Sequence, residues 1–117
     1  MVTKFILFIS CIVFFNCSLF SQNSKSKINQ IRHVYKNAGQ DEDKNEELIK
    51  LSKSCENTII TGYYASGLAI KAKYLYNPFS KLDYFKRGTT LLDKTIAKDK
   101  MNIELRFMRF CIQTVSP

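Results

Sequence analysis

The chain has 117 residues, of which 45% are hydrophobic and 24% are charged, with only 4 Gly and 2 Pro. This length allows no more than one domain, and this composition is that of a folded chain, so both a multidomain protein and a disordered segment are excluded. The formal net charge of +8 favours contact with anionic surfaces, such as nucleic acid, acidic glycans or lipid headgroups. A background composition rich in Lys, Asn, Ile and Phe would give the same excess of positive charge without a binding site.

Residues 1–21 have the parts of a secretory signal peptide. Lys4 gives a short positive region, and Phe5–Phe15 gives an apolar region of the length that such a peptide needs. Small side chains follow, and we predict cleavage between Ser21 and Gln22. The sequence thus predicts a signal-peptide helix followed by one exported domain.

Two alternatives to this cleavage are open. A retained membrane anchor is disfavoured, because the apolar run Phe5–Phe20 has 16 residues broken by Asn16, whereas a spanning helix needs roughly 20. A lipoprotein with its lipid on Cys17 is the other alternative. We expect a periplasmic or secreted domain over residues 22–117 without a stable membrane span. Loss of the leader, with its single basic residue, leaves 17 of the 18 basic side chains against 10 acidic ones.

The mature part begins with two predicted helices. Apolar residues three and four apart predict a first helix over Lys25–Ala38, which Gly39 ends. Acidic residues around Asp43 and the capping-box spacing to Glu46 predict a second helix over Asp43–Cys55. Its expected inner face consists of Leu48, Ile49, Leu51, Ser52 and Cys55.

A third helix is predicted over Ile59–Tyr76, where Asn77 and Pro78 stop it. Small side chains recur along it at helical spacing, which allows a neighbouring helix to approach closely. These packing residues are Gly62, Ala65, Ala69 and Ala72, with Gly88 on the next helix.

Two further helices complete the predicted domain. A capping box from Ser80 to Asp83 begins a fourth helix over Lys81–Asp99. Asn102 caps a fifth helix, whose expected inner face is Ile103, Phe107, Phe110, Cys111 and Thr114, widened by Leu105 and Met108. Five helices with short connections and no alternating strand pattern predict an all-α domain of antiparallel neighbours.

The fourth and fifth helices resemble known families. Residues 91–106, LLDKTIAKDKMNIELR, resemble the end of one tetratricopeptide repeat and the start of the next. Residues 25–115 as a whole are similar to a set of small exported bacterial proteins of unknown function, through NPFSKLDYFK at Asn77–Lys86 and NIELRFMRF at Asn102–Phe110. The resemblance implies tetratricopeptide-like helical hairpins and export, and it supplies no activity. Because those proteins continue for another helix, we expect a truncation after Pro117.

No pattern in the sequence predicts catalysis. Nucleophile, metalloprotease, phosphate-loop and paired-cysteine motifs are missing from it, and His33, the only histidine, has no metal ligand at a suitable spacing. The acidic run from Asp41 lacks the Gly and Glu that a calcium loop requires. We therefore predict that the protein is not an enzyme and has no catalytic, cofactor-binding or metal-binding residues.

The fifth helix supplies the candidate partner-binding residues. Arg106 and Arg109 flank Phe107, a combination that serves either as a binding surface or as the polar rim of a buried stripe. An exported protein rarely meets nucleic acid, so we expect none. The leading hypothesis is a helical scaffold that binds another protein, and the alternative is a basic binder of an anionic envelope component such as lipopolysaccharide or acidic glycan. Cys55 and Cys111, the two cysteines of the mature part, are expected in apolar helical settings and not bonded to each other.

Overall fold

A computed structural model describes residues 25–114, and this part of the chain contains five helices and no strand. The predicted all-α class is confirmed. The helices are α1 over 25–38, α2 over Glu42–Ser52, α3 over Thr58–Lys71, α4 over Pro78–Lys98 and α5 over Ile103–Thr114, with a 3₁₀ turn over Ala72–Tyr74 after α3. The leader, the cleavage site at Ser21 and Gln22, Cys17 and Pro117 lie outside the described residues.

Side chains cap the N-termini of the last four helices, because the first backbone N–H groups of a helix have no partner within it. Asp41 accepts from the N–H of Asp43 at 3.0 Å, at the start of α2. Asn57, Asn77 and Asn102 do the same for α3, α4 and α5, with N–H···O distances of 2.8, 2.9 and 3.1 Å to Ile60, Phe79 and Glu104. The cap that was predicted at Asn102 is confirmed.

Two predicted capping boxes are wrong. Helix α2 begins at Glu42 because Asp41, rather than Asp43, is its cap. Helix α4 begins at Pro78, three residues before the predicted start, because proline suits the first turn, where its missing N–H is not needed. Ser80 therefore lies inside that first turn.

Two predicted C-termini are also wrong. Helix α2 ends at Ser52, so Cys55 lies beyond it, is exposed, and has a φ of 50° instead of packing on an inner face. Helix α3 ends at Lys71 and tightens into the 3₁₀ turn, whereas we predicted it to continue to Tyr76. Both differences fall at helix ends, where short-range capping decides the boundary.

Helix α3 is the centre of the domain and contacts α2, α4 and α5. It is buried nearly all round, as expected for a helix with apolar and small residues on every side. Gly88 of α4 lies against the backbone of Ala65 and Ala69, whereas Gly62 faces Leu105 and Met108 of α5. The predicted small residues of α3 thus contact two different helices rather than one.

The helices alternate in direction. The start of α1 lies beside the end of α2, since Lys27 pairs with Glu56 at 2.9 Å. The start of α3 lies beside the end of α4, where Thr58 donates to Asp99 at 2.9 Å. Helices α1, α3 and α5 therefore run in the same direction, and α2 and α4 run the opposite way.

The buried face of α5 differs from the predicted one. Leu105, Met108 and Ile112 enter the core with at most 1% of their surface exposed. Ile103, Phe107 and Phe110 were expected inside and are instead 81%, 60% and 63% exposed. Both sets recur at three- and four-residue spacing, so periodicity alone does not tell them apart.

The two cysteines of the described part are both free, Cys55 exposed and Cys111 half-buried. Cys55 lies near the start of α1, because it directly precedes Glu56, the partner of Lys27. Cys111 instead lies in a groove beside Tyr35, about 12 Å further along α1. A disulfide needs Cα atoms within about 7 Å, so this arrangement keeps the two thiols apart.

None of the helices between residues 25 and 114 is both long enough and apolar enough to cross a membrane.

Candidate functional site

The three helices that run in the same direction enclose a groove of about 670 Å³, which we call the α1–α5 groove. Tyr63 and Ile70 of α3 form its floor, and α1 and α5 form its walls. The wall residues include Arg32, Tyr35 and Lys36 on one side and Phe107, Met108, Cys111 and Thr114 on the other. Most of the lining is apolar or aromatic with a few charged groups at its edges, as in binding sites generally.

A hydrogen-bonded network crosses the groove near the start of α5. Arg32 binds Glu104 through two parallel contacts, Nε to Oε1 at 2.8 Å and Nη2 to Oε2 at 2.9 Å. The hydroxyl of Tyr63 donates to the same Oε1 at 2.5 Å. Such two-point contacts between a guanidinium and a carboxylate fix geometry as well as charge. The network therefore joins α1, α3 and α5 at one level.

The network shifts the titration of its members. The hydrogen bond from Arg32 lowers the pKa of the Glu104 carboxyl, even though partial burial acts against this shift. Burial is the main cause that raises the pKa of the Tyr63 hydroxyl, followed by its hydrogen bond to Glu104. Glu104 is consequently charged and Tyr63 protonated around neutral pH, which is the state in which the hydrogen bond forms.

Aromatic packing continues along the groove from this network. The rings of Tyr35 and Tyr63 meet edge to face, with centroids 5.1 Å apart. Burial raises the pKa of the Tyr35 hydroxyl, and the neighbouring Cys111 thiol adds to the shift. The middle of the groove is thus a rigid aromatic surface with polar groups at its edges.

The other end of the groove is formed where α1 and α3 end. The hydroxyl of Tyr74 donates to the carbonyl of Ala38 at 2.7 Å, and Lys73 Nζ donates to the carbonyl of Gly39. These bonds satisfy carbonyls that the end of α1 leaves without helical partners. Lys36 is exposed nearby on the rim of the groove. The carboxylates of Asp41 and Glu42 lie close enough to Tyr74 to raise the pKa of its hydroxyl after burial, so this end carries charges of both signs.

The structure does not bring the three predicted partner-binding residues together. Phe107 lines the groove, but Arg106 is exposed on another side of α5 and lines no part of it. Arg109 turns towards α4, where its Nε pairs with Asp93 at 2.9 Å. Of the three, only Phe107 belongs to the candidate site.

The other residues considered for chemistry lie apart from the groove. His33 is exposed and does not line it. Within residues 25–114, His, Cys, Asp and Glu side chains nowhere form a group of three suited to a metal ion. What the groove offers is a concave shape, an apolar lining and a few charged side chains at its edges.

Sequence reasoning missed the network of Arg32, Tyr63 and Glu104. Its members are 31 to 72 residues apart, and no local spacing relates them. From the sequence alone, Glu104 stands only as an acidic residue in the first turn of α5, where such a charge is favourable in any helix. The three residues meet because α1, α3 and α5 run parallel to one another. This arrangement arises from tertiary packing, which a local sequence pattern does not contain.

Comparison with protein-family models, with curated proteins and with solved structures gives no match for this chain.

Proposed function

We propose that this protein is an exported helical scaffold that binds an extended segment of a partner protein in the α1–α5 groove. The proposal includes a tetratricopeptide-like arrangement, in which α1 with α2 and α3 with α4 are two hairpins and α5 begins a third. The alternating helix directions support it. Stacked helical repeats form extended concave surfaces that bind other chains.

The observation that carries the proposal is the form of the groove. From Glu104 to Thr114 its α5 wall is eleven residues long, and the ten steps between them correspond to about 15 Å of helix. An extended peptide advances about 3.3 Å per residue, so the groove accommodates four or five residues. Its apolar middle suits side chains, and the network and Lys36 at its ends suit backbone and charged groups.

Two exposed phenylalanines on α5 make a matched test of this proposal. Phe107 lines the groove, whereas Phe110 is similarly exposed and does not line it. A peptide is selected by display against the leaderless protein, and its dissociation constant is measured by calorimetry. We expect Phe107→Ser to weaken binding by about tenfold or more, because aromatic anchors dominate such interfaces, and Phe110→Ser to leave it within about twofold.

The proposal fails if both variants weaken binding equally, or if selection yields no peptide from a folded protein. Circular dichroism of both variants checks that the fold is intact, and little change is expected because neither ring is in the core. A photo-reactive residue at Lys36 on the groove rim then identifies the natural partner. Lys53, exposed and outside the groove, is the control position for this cross-link.

A further inference from the structure

A second cleft lies between α3 and α4 and shares no residue with the α1–α5 groove. Its volume is about 430 Å³. We call it the α3–α4 cleft, and its lining consists of the cations Lys86, Arg87 and Lys94, the hydroxyls of Tyr64 and Thr90, and the apolar Leu68 and Leu91. No carboxylate is among these residues, so the cleft combines positive charge with hydrogen-bond donors.

Little of this charge is compensated within the protein. In the described part of the chain, neither Lys86 nor Lys94 has an ion-pair partner. Arg87 has only Asp83, one turn away on the same exposed helix face, at 3.9 Å. Exposed pairs of this kind contribute little. Three cations that line one cleft repel one another, and an anion bound between them relieves that repulsion.

Arg87 lies against the ring of Tyr84. The guanidinium carbon lies 5.0 Å from the ring centroid, and Lys71 Nζ lies 5.1 Å from the same centroid. Lys71 is in turn paired with Glu46 at 3.1 Å. A guanidinium held against an aromatic ring is oriented in advance, and its planar donors match the oxygens of phosphate or sulfate.

The three cations of the cleft are spread along one face of α4. Lys86, Thr90 and Lys94 follow one another at four-residue intervals on one face of α4. Eight residues of helix place Lys86 and Lys94 about 12 Å apart along the axis, with Arg87 near the first and the threonine hydroxyl between them. A ligand with an anionic group on each of two neighbouring sugar units has charges to offer to both lysines and to Arg87 at the same time.

We propose that the α3–α4 cleft binds a phosphorylated or sulfated glycan, with Lys86, Arg87 and Lys94 contacting its anionic groups and Tyr64 and Thr90 donating to their oxygens. Leu68 and Leu91 provide the apolar floor on which a sugar ring rests. This site is independent of the α1–α5 groove, so the two proposals stand or fall separately.

The test measures binding of a fully sulfated heparin tetrasaccharide to the leaderless protein by calorimetry at about 0.15 M ionic strength, where distant surface charges are screened. We expect Lys86→Gln with Lys94→Gln to weaken binding by about tenfold or more, because two charge-assisted contacts are lost. The control is Lys53→Gln with Lys100→Gln, which changes the net charge equally at two exposed lysines outside both cavities. We expect this control to change affinity by less than about threefold.

The same titration distinguishes other sources of the anion. Tripolyphosphate, vesicles that contain phosphatidylglycerol, and a single-stranded oligonucleotide replace the tetrasaccharide in separate runs. We expect each of them to bind more weakly than the glycan. The proposal is overturned if any of these three binds as tightly as the tetrasaccharide or more tightly. It is also overturned if both double variants lose the same affinity, or if the tetrasaccharide does not bind the unaltered protein.

Discussion

Gly88 lies where α4 crosses the backbone of α3. A Cβ added at this position would be 2.5 Å from the carbonyl oxygen of Ala65 and 2.6 Å from the backbone nitrogen of Ala69. Backbone atoms within a helix do not move aside cheaply, so the two helices would have to separate. We expect Gly88→Ala to lower the free energy of unfolding by about 1–3 kcal/mol, although alanine is the better helix former. Urea denaturation measures the change.

Gly39 provides the matched control for this substitution. A Cβ at Gly39 meets no atom within 4 Å, and the backbone there does not have a positive φ. Gly39→Ala is therefore expected to leave stability unchanged or to raise it by about 0.4–1 kcal/mol. An equal decrease in the free energy of unfolding in the two variants would contradict the close approach of α3 and α4 at Gly88.

The role of an individual residue was predictable where it depends on the size of its own side chain. Glycine and alanine at helical spacing indicated close packing, and Gly62, Ala65, Ala69 and Gly88 are all buried at helix contacts. Which neighbour each one contacts did not follow from the spacing. That choice depends on how the helices are arranged around α3, and side-chain size carries no information about it.

Helix α5 offers two apolar faces, and only one of them is in the core. Leu105 is fully buried, whereas Phe110 on the opposite face is mostly exposed. We expect Leu105→Ala to cost about 2–5 kcal/mol, because it removes packed methyl groups and leaves a cavity. Phe110→Ala should cost less than about 1 kcal/mol, since its ring makes few core contacts. Denaturation with urea, at an unchanged slope, compares the two.

If Phe110→Ala lowers the free energy of unfolding more than Leu105→Ala does, the face of α5 that contains Phe110 is the buried one. The two substitutions lie on one helix, five residues apart, and both end in alanine. Helix propensity therefore contributes little to the difference between them, which leaves burial as its cause.

The elements themselves were largely predictable, and their ends were less so. Asn102 was identified as a cap because an acidic first turn and an apolar run follow it. Asn77 was interpreted as the end of α3, although it is the cap of α4, because Asn-Pro both stops one helix and begins the next. The sequence could not predict which face of α5 is buried, since its two apolar stripes have the same period.

At the scale of the whole molecule, the contact between Arg32 and Glu104 joins the first helix to the last. It acts across 72 residues of sequence and fixes the width of the α1–α5 groove at one end. Sequence patterns predict each helix separately, but they do not predict a pair that forms only once all the helices are in place. The α1–α5 groove is lined at one end by this pair.

The network of Arg32, Tyr63 and Glu104 makes the stability of the protein depend on pH. The carboxyl of Glu104 has a pKa below its ordinary value because Arg32 binds its charged form. A lowered pKa contributes stability above the unfolded value, and this contribution is lost as the pH falls through the folded value. We expect Glu104→Gln to lower the free energy of unfolding by about 1–2 kcal/mol at pH 7. As the pH falls below the ordinary glutamate pKa of about 4.3 and through the lower folded value, the difference should shrink, because the unaltered carboxyl then becomes neutral too.

Urea denaturation of both proteins across this pH range measures the difference. Glu47→Gln is the control, since its pair with Lys44 is exposed and spans less than one turn of α2 at 3.4 Å. Such a pair contributes about 0.5 kcal/mol or less, so Glu47→Gln should change the free energy of unfolding by no more than that. A Glu104→Gln difference that stays constant from pH 7 to pH 3 would contradict a charged contact, because only ionisation of Glu104 makes its bond to Arg32 sensitive to pH in this range.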